Sequence, residues 1–411
     1  MNKKLQEKRK RIADAVALQK PDRVPIFLMQ NYMPARTEGL TYKDAHYNID
    51  GWIEANRNFV RRYDPDMYFM IDQPNQGDAT VHEILGTVSV KWPGGSLSDN
   101  LPHQFVEGEY MLQEEYDHFL DDPSDYLLRV FVPRIFSNLK GLAKLPPLKA
   151  LSLGHLSPNL FGMAIFDPEV AGAMQKLLEM SKPAADFVMK IGAAHAGMLD
   201  EGQLYAGGAL TVVPFDVISD FLRGMRGAMI DMFQVPDKLI AAMEKFYPLL
   251  LGAAVQGATI SGNKHVFIAL HRGSDGFMSM KQFEKFYWPY LKQMICDLID
   301  AGLTPMPVFE GIYEQRLDYL RELPAGKIIG HFDRSNLQML QNKLGDVMCV
   351  AAGMPVSLLQ TGTVETVRQQ TKKAIEIFEG KGLIMASSTV LDEAKPELLQ
   401  AWVDATREFG A

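Results

Sequence analysis

Three side chains that can hold a metal ion or move a proton follow two apolar runs of the sequence. Residues 328–333 form a short run that ends in His331 and Asp333, and residues 304–309 lead directly into Glu310. If the first run is a strand, its two-residue side-chain period puts His331 and Asp333 on the same face. Parallel α/β folds keep their chemistry at the carboxyl ends of their strands. We therefore predict a catalytic site from these three residues, either as metal ligands or as proton donors.

A second polar cluster, residues 271–276, follows the predicted strand at residues 266–270. Polar side chains and glycines at the end of a strand are typical of an active-site loop. We expect a catalytic role for His271 and a substrate-binding role for Asp275. The alternative for Ser274 and Asp275 is that they only shape a turn.

A further carboxylate, Asp216, follows an apolar strand at residues 210–213, and Arg223 comes about two helical turns later. Both residues are candidates for substrate binding. The alternative is a structural ion pair between them.

Strand and helix signals alternate along the second half of the chain, and the first half fits the same plan with insertions. Repeated strand–helix units with short loops imply a parallel sheet with right-handed crossovers. About eight strands are predicted, so the expected fold class is α/β, a (β/α)8 TIM barrel, with a doubly wound open sheet as the alternative. The predicted strands span residues 24–29, 67–71, 204–213, 266–270, 306–309, 328–331, 348–352 and 383–386, and the predicted helices residues 4–18, about 168–197, 279–301, 314–322, 337–343, 364–379 and 396–409.

Two segments depart from this repeating pattern. Residues 1–22 contain a basic amphipathic helix ahead of the first strand, which predicts an N-terminal helical extension. Short alternating strands within about residues 83–111, with a proline and two glycines between them, predict an inserted β-hairpin. No low-complexity linker divides the chain, so we expect one domain over residues 1–411.

Composition and charge narrow the class of function. The 411 residues carry a net charge of −8, which disfavours nucleic acid as a partner. The only cysteines, Cys296 and Cys349, are expected to be buried thiols, and the N-terminus lacks the apolar core of a signal peptide. No apolar run approaches the ~20 residues that span a bilayer. We therefore expect a cytoplasmic protein with no membrane association.

Several segments together resemble the uroporphyrinogen decarboxylase superfamily. They are the opening residues 9–26, the segment 214–224, the Gly-Asp-Val-Met run at 345–348, the Thr-Gly-Thr-Val-Glu-Thr-Val run at 361–367, and the closing residues 392–397. The resemblance covers essentially the whole chain. It implies a (β/α)8 barrel with an N-terminal extension, in agreement with the strand pattern.

The true decarboxylases of that superfamily carry arginines just after the first strand, where they hold the carboxylates of the porphyrin. Here that stretch, residues 27–33, contains no arginine, and the next one is Arg36. A pocket for a polyanion needs fixed cations, so we do not expect porphyrin decarboxylation. Asn31 and Tyr32, in the same stretch, are assigned to substrate binding.

The other large branch comprises corrinoid-linked methyltransferases, whose thiol-activating members hold zinc with a His-x-Cys pair and a later cysteine. The segment His331-Phe332-Asp333 lies where that pair is expected, and residues 386–389 contain no cysteine. Without thiolates, Glu310, His331 and Asp333 form a harder set of ligands, suited to zinc or another divalent ion facing an oxygen-bearing substrate. The same residues also suit proton donation without a metal.

The resemblance therefore implies transfer of a methyl group from a small methylated substrate, such as a methoxylated aromatic, to the cobalt of a separate corrinoid protein. Cobalamin is expected on that partner, because the chain has no Asp-x-His-x-x-Gly signature for binding it. Two alternatives stay open: decarboxylation of a small or porphyrin-type acid, aided by His271, Arg272 or Arg223, and a non-catalytic barrel that binds a corrinoid partner. Because relatives of this kind often pair, a homodimer is also expected.

Overall fold

Eight parallel strands form the centre of the protein, and two further strands form a separate antiparallel pair. The computed structural model describes residues 2–69 and 78–411. The strands are β1 Ile26–Met29, β2 Met67–Phe69, β3 Val90–Lys91, β4 Gln104–Phe105, β5 Ala209–Val212, β6 His265–Leu270, β7 Thr304–Phe309, β8 Ile329–Phe332, β9 Cys349–Met354 and β10 Leu383–Ser387.

The order of the parallel strands shows how the barrel closes. Hydrogen bonds join them in the order β2-β1-β10-β9-β8-β7-β6-β5. The remaining gap is closed by a parallel bridge between Tyr68 of β2 and Tyr205, which precedes β5. Here the N–H of Tyr68 donates to the carbonyl of Leu204, and the N–H of Ala206 donates to the carbonyl of Tyr68. The predicted (β/α)8 barrel is thus confirmed, and the alternative of an open sheet is wrong.

Two glycines interrupt the strand that was predicted at residues 204–213. A Cβ on Gly207 would lie 2.4 Å from the ring of Phe69, and a Cβ on Gly208 would lie 2.2 Å from the carbonyl oxygen of Asn263. Only glycine lets the backbone pass this close to its neighbours. The chain therefore pairs with β2 before the glycines and with β6 after them.

The barrel strands lie close to their predicted positions. Those of the second half begin and end within two residues of the prediction, because continuous apolar runs mark strands that are buried on both faces. The strand predicted at residues 67–71 is seen at Met67–Phe69, and residues 70 and 71 lie outside the described residues.

Apolar side chains fill the interior of the barrel, alternating along each strand with side chains that pack against the outer helices. In β8, for example, Ile329 belongs to the interior and Phe332 to the outer layer. Each fully buried side chain of this size contributes about 1.5–3 kcal/mol to folding. The interior cluster includes Phe27, Met29, Met67, Phe69, Phe267, Ala269, Met306, Val308, Ile329, Cys349, Ala351, Ile384 and Ala386.

Helices surround the barrel. The N-terminal helix is Lys3–Val16, close to the predicted residues 4–18, and the last helix is Pro396–Phe409, as predicted. The other α-helices are Met33–Thr37, Asp44–Tyr47, Ile49–Tyr63, Ala79–Leu85, Tyr116–Asp121, Pro123–Tyr126, Val132–Ile135, Ser157–Ile165, Pro168–Asp200, Pro214–Val217, Gly224–Gln234, Pro236–Ser261, Met280–Gln282, Trp288–Asp300, Leu317–Leu320, Leu337–Leu344, Val356–Thr361 and Val364–Phe378; the 3₁₀-helices are Gln113–Glu115, Ser137–Lys144, Leu148–Leu156 and Glu314–Arg316; the π-helices are Leu127–Phe131, Ile218–Leu222 and Phe283–Tyr287.

The antiparallel pair β3–β4 lies within the insertion predicted at about residues 83–111. Val90 pairs with Phe105, and Lys91 pairs with Gln104. The strands are only two residues long each, so the insertion is mostly loop.

One helix of the described chain, Pro236–Ser261, is long and apolar enough to cross a bilayer by length and composition. The sequence expectation of no such run overlooked it. The helix follows β5 and packs Leu239, Met243 and Phe246 into the outer layer of the core. Because core helices of globular domains pass the same test, this helix does not by itself assign a membrane.

Candidate active site

A cavity of about 380 Å³ lies at the carboxyl ends of β6 and β7. His271 and Arg272 follow the last residue of β6, and Glu310 follows the last residue of β7. A cavity of this size can enclose a small organic ligand. Among the described residues, the lining consists of Ser89, Val90, Phe105, Val106, Glu107, Tyr110, Phe131, Ile135, Asp220, Phe221, His271, Arg272 and Glu310.

His271 is held as a charged imidazolium by neighbouring carboxylates. Its Nδ1–H donates to Oδ2 of Asp220 at 2.5 Å, and its Nε2 lies 3.8 Å from Oε1 of Glu310. Burial alone lowers the pKa of His271, but the hydrogen bond to Asp220 and the charges of Asp216, Asp220 and Glu310 outweigh burial and raise the pKa from 6.5 to about 9. At neutral pH, His271 therefore carries a proton on Nε2 that it can donate on the Glu310 side.

Asp216 holds the loop that carries His271. The backbone N–H groups of His271 and Arg272 donate to its two carboxylate oxygens at 3.0 and 3.2 Å, and the hydroxyl of Tyr287 donates at 2.7 Å. Complete burial raises the pKa of Asp216 to about 7, with the charge of Asp220 adding to the effect and His271 opposing it. Asp216 is thus fully buried, outside the cavity lining, and holds the loop, so the predicted contact with substrate does not fit its position.

Asp220 reaches His271 from a π-helical turn, Ile218–Leu222. Such turns are rare and occur frequently at functional sites. Asp220 also pairs with Arg272, whose Nε and Nη2 lie 3.1 and 2.9 Å from Oδ1. One carboxylate therefore neutralises part of the charge of both cations that line the cavity.

Glu310 and Asp333 lie close together at the rim, as the sequence predicts. The N–H of Gly311 donates to Oδ2 of Asp333 at 3.2 Å, and Gly311 has the left-handed φ of 88° that glycine tolerates. Loss of surrounding water raises the pKa of Glu310, the charge of Asp333 adds to this, and His271 opposes it. Glu310 lines the cavity, whereas Asp333 lies beside it.

His331 does not reach the rim. Strand β8 extends to Phe332, one residue beyond the prediction, so His331 lies inside the barrel and is only 1% exposed. Its Nε2–H donates to the carbonyl oxygen of Ser387 at 2.8 Å, and its ring contacts that of Phe27 edge-on. Burial lowers the pKa of His331 to about 4. The predicted catalytic role does not fit this position, because His331 is outside the cavity lining and neutral at pH 7.

The metal triad predicted from Glu310, His331 and Asp333 is not assembled. Across residues 2–69 and 78–411, no three His, Cys, Asp or Glu side chains are grouped so as to hold a metal ion. His331 uses Nε2 for the carbonyl of Ser387, and its Nδ1 has no hydrogen-bond partner within the described chain. These residues do not fit the zinc site that the resemblance implies.

Arg223 and Asp275, predicted to bind substrate, have structural partners. Nε of Arg223 donates to Oδ2 of Asp231 at 2.6 Å, and both side chains are almost fully buried. Arg223 therefore does not form the ion pair with Asp216 that was the alternative prediction. Asp275 accepts the N–H of Gln315 at 3.0 Å and lies 3.6 Å from Arg316, so it supports the turn after β6.

Asn31 and Tyr32, also predicted to bind substrate, contact a different carboxylate. Nδ2 of Asn31 and the backbone N–H of Tyr32 donate to Asp392 at 2.8 and 2.7 Å. The hydroxyl of Tyr32 lies 2.8 Å from Nε2 of His46, and its ring stacks on Tyr42. The structure therefore places both residues in a cluster apart from the cavity lining at β6 and β7.

The sequence prediction missed Asp220 and the aromatic wall of the cavity. Asp220 follows Asp216 by four positions, the spacing of neighbouring side chains on a helix, and that signal points to it. Arg272 enters the prediction only as a cation for decarboxylation. Phe105 comes from the insertion and Phe131 from the π-helix Leu127–Phe131, and no sequence pattern tells where these segments pack against the barrel.

Solved structures with the same architecture include a methyltransferase from Methanosarcina mazei. It is 13% identical in sequence, has a TM-score of 0.62, and the match covers 98% of each chain. A B12-independent methionine synthase from Shewanella sp. W3-18-1, in complex with selenomethionine, matches 50% of this chain and 60% of its own with 13% identity and a TM-score of 0.34. The first likeness supports the barrel fold.

Sequence comparison identifies the family. No curated protein matches the chain. A family model, described as uroporphyrinogen decarboxylase (URO-D), matches residues 161–409, which include β5 to β10 and the residues His271 and Glu310. Since this match spans more than half of the sequence, the chain belongs to the uroporphyrinogen decarboxylase (URO-D) family.

Proposed function

We propose that this protein is a methyltransferase that takes the methyl group of a small methoxylated aromatic and passes it to the cobalt of a separate corrinoid protein. The observation that carries the proposal is the His271–Asp220 pair, a protonated acid at the polar end of a largely apolar cavity. Family membership and the barrel fold support the same class of enzyme. Cobalamin on the partner, a cytoplasmic location and a homodimer remain predictions.

The chemistry of an aryl methyl ether explains why a proton donor is needed. When the methyl group moves to reduced cobalt, the C–O bond breaks and the aryl oxygen keeps its electron pair. A phenolate is a poor leaving group unless the oxygen is protonated as the bond breaks. The Nε2–H of His271 can supply that proton, while Asp220 holds Nδ1–H and stabilises the imidazolium beforehand. The phenol product then carries the proton.

The walls of the cavity suit an aromatic ring. Val90, Phe105 and Val106 of the insertion face the barrel end, and Phe131 and Ile135 lie on a neighbouring helical segment. Aromatic and branched side chains bind a flat ring by burying its apolar faces. The apolar end would hold the ring, which leaves the ether oxygen at the end with His271.

The charge of the lining disfavours a substrate with several carboxylates. The lining contains two cations, His271 and Arg272, and three carboxylates, Asp220, Glu107 and Glu310, among the described residues. Because both cations already pair with Asp220, a porphyrin acid would meet net negative charge. This is why decarboxylation ranks behind methyl transfer.

Incubation of the protein with methoxybenzenes and free cob(I)alamin, used in place of the corrinoid protein, tests the proposal. We expect formation of methylcobalamin together with the phenol. The variant His271→Gln should lose at least about 100-fold in rate, the typical contribution of a general acid. His118→Gln is the matched control, because His118 also pairs with a carboxylate, Asp125 at 3.1 Å, but lies outside the cavity.

Other outcomes would contradict the proposal in distinguishable ways. Release of CO2 from a small acid without cobalamin would indicate a decarboxylase. Tight binding of a corrinoid protein with no turnover of any methoxybenzene would indicate a non-catalytic barrel. Methyl transfer that survives in His271→Gln would show that another group donates the proton.

A further inference from the structure

A second cavity, of about 510 Å³, lies at the opposite end of the barrel, where the strands begin. The N-terminal helix Lys3–Val16 forms one side of it. The other side is formed by the first residues of β6 and β7 and by the turn before β8. This cavity is separate from the candidate active site. His265, the first residue of β6, lines this cavity, and His271, directly after β6, lines the other.

The charge of this cavity is entirely positive in the described part of the chain. Arg9, Lys264 and Lys327 line it, and no Asp or Glu is among the described residues of the lining. In the described chain, neither Lys264 nor Lys327 lies within ion-pair distance of a carboxylate. By contrast, Lys8 of the N-terminal helix pairs with Asp64 at 2.6 Å. Two lysines beside a cavity without a carboxylate partner among the described residues favour an anionic ligand.

The walls between these cations are apolar. Ile12 and Val16 of the N-terminal helix face Leu204, Ile299 and Leu303 across the cavity. A free inorganic anion would leave such walls without contact. A ligand with an apolar body covers them and gains about 25 cal/mol for each Å² of apolar surface that it buries.

His265 adds a neutral polar group to the same cavity. Its Nδ1 is buried and has no hydrogen-bond partner among the described residues. Burial lowers its pKa to about 4, and the positive charge of Arg9 adds to the effect. A buried polar atom without a partner is unfavourable, and a ligand that brings a polar group to it removes that cost.

We infer that this cavity is a binding site for a small organic anion, a carboxylate carried on a compact apolar body. The carboxylate lies among Lys264, Lys327 and Arg9, and the body fills the space against Ile12 and Leu303. The N-terminal end of a (β/α)8 barrel is the end that does not hold the chemistry in enzymes of this fold. The ligand is therefore bound without being converted.

Cyclohexanecarboxylate is a suitable probe, because it combines one carboxylate with an apolar ring and has no methyl group to donate. Calorimetry should give one binding site, and the neutral cyclohexanecarboxamide should bind at least tenfold more weakly, a loss of about 1.4 kcal/mol. Imidazole NMR spectra locate the ligand. Signals of His265, assigned with His265→Gln, should shift, and those of His271, about 20 Å away along β6, should not.

Two variants test the site by different means. The double change Lys264→Gln, Lys327→Gln should weaken binding at least tenfold, whereas Lys281→Gln, Lys373→Gln, which removes the same charge from exposed positions elsewhere, should not. Ala13→Trp keeps every charge and places an indole in the cavity, so it should also abolish binding. Melting curves serve to check that each variant is folded.

The inference is overturned if no heat or NMR shift is found at 10-fold excess over millimolar protein, or if the carboxamide binds as tightly as the acid. A shift at His271 without one at His265 would place the ligand in the other cavity. Binding that survives in both the lysine variant and the Ala13→Trp variant would equally exclude this site. None of these results depends on whether the protein transfers methyl groups.

Discussion

The role of Asp220 gives the sharpest prediction. Asp220→Asn removes the negative charge next to His271 and leaves an amide oxygen that can still accept the Nδ1–H. The pKa of His271, now about 9, should fall to its ordinary value of 6.5 or below, because burial then acts with less opposition. A fall of about 2.5 in the pKa means that the variant loses roughly 3 kcal/mol of the stabilisation of the charged imidazolium.

The kinetic consequence follows from the fraction of His271 that carries a proton. At pH 7.5, a group with a pKa of 9 is about 97% protonated, and a group with a pKa of 6.5 is about 9% protonated. Since a general acid acts only in its protonated form, activity is present below the pKa and lost as the pH rises through it. The alkaline limb of the wild-type profile should therefore lie near pH 9, and that of Asp220→Asn near or below pH 6.5, with at least a tenfold lower rate at pH 7.5.

The assay is the pH dependence of methyl transfer to cob(I)alamin, with NMR titration of the His271 imidazole as a direct readout. Glu107→Gln is the control, because Glu107 lines the same cavity without contacting His271, and its alkaline limb should stay near pH 9. If Asp220→Asn keeps both the limb and the imidazole pKa near 9, the carboxylate does not charge His271 and the reasoning is refuted.

Three further predictions concern the framework of the site. Gly273→Ala should reduce the rate of methyl transfer and lower the free energy of unfolding by about 1–3 kcal/mol, because its Cβ would lie 2.5 Å from the ring of Tyr287, the partner of Asp216. Arg223→Met should destabilise the protein by about 3–5 kcal/mol in urea unfolding, since it leaves a buried carboxylate unpaired. His331→Phe should weaken the dependence of the free energy of unfolding on pH below pH 6.5. In the unfolded chain this histidine binds a proton near pH 6.5, and in the folded protein only near pH 4. The wild type therefore loses up to roughly 3 kcal/mol of stability as the pH falls between those values, and the variant should not.

Each of these has a matched comparison. Gly276→Ala, in the same loop but with open space at its Cβ, should leave rate and stability unchanged. Lys343→Met, which breaks an exposed pair with Asp318, should cost less than about 1 kcal/mol. Exposed His155→Phe should leave the acid profile of stability as in the wild type. Equal effects in a variant and its comparison would show that the contact named is not the cause.

The barrel itself follows from the sequence because its determinants are local. Each buried strand of the second half is a continuous apolar run, so these strands are predicted to within two residues, whereas the strand at 204–213 was predicted too long and the helix Pro236–Ser261 was not predicted. His271 and Glu310 were predicted as site residues for the same reason, since they are the first polar side chains after β6 and β7.

The site was harder to predict wherever a shift of one residue in a strand or helix decides whether a side chain reaches the cavity. His331 ends an apolar run just as His271 does, but β8 continues through Phe332 and draws the imidazole into the barrel. Asp220 depends on a π-helical turn that widens the helix after β5, and a pattern of ordinary 3.6-residue turns does not contain it. The partner of Arg223 is Asp231, and only the fold shows that Asp216 is engaged elsewhere.

The bridge between Tyr68 and Tyr205 bears on how the chain folds. The two segments that it joins are separated by about 135 positions of sequence, whereas the end of β6 and the start of β7 are separated by about 34. Closing a loop that is four times longer costs about 1.2 kcal/mol more in conformational entropy. Few hydrogen bonds stabilise that closure, since the chain turns away from β2 at the two glycines before β5 begins. We therefore expect strands β6 to β10 to pair first during folding, and the pairing of Tyr205 with β2 to form last. In native-state hydrogen exchange, the amides of Tyr68 and Ala206 should open at lower free energy than those of β9.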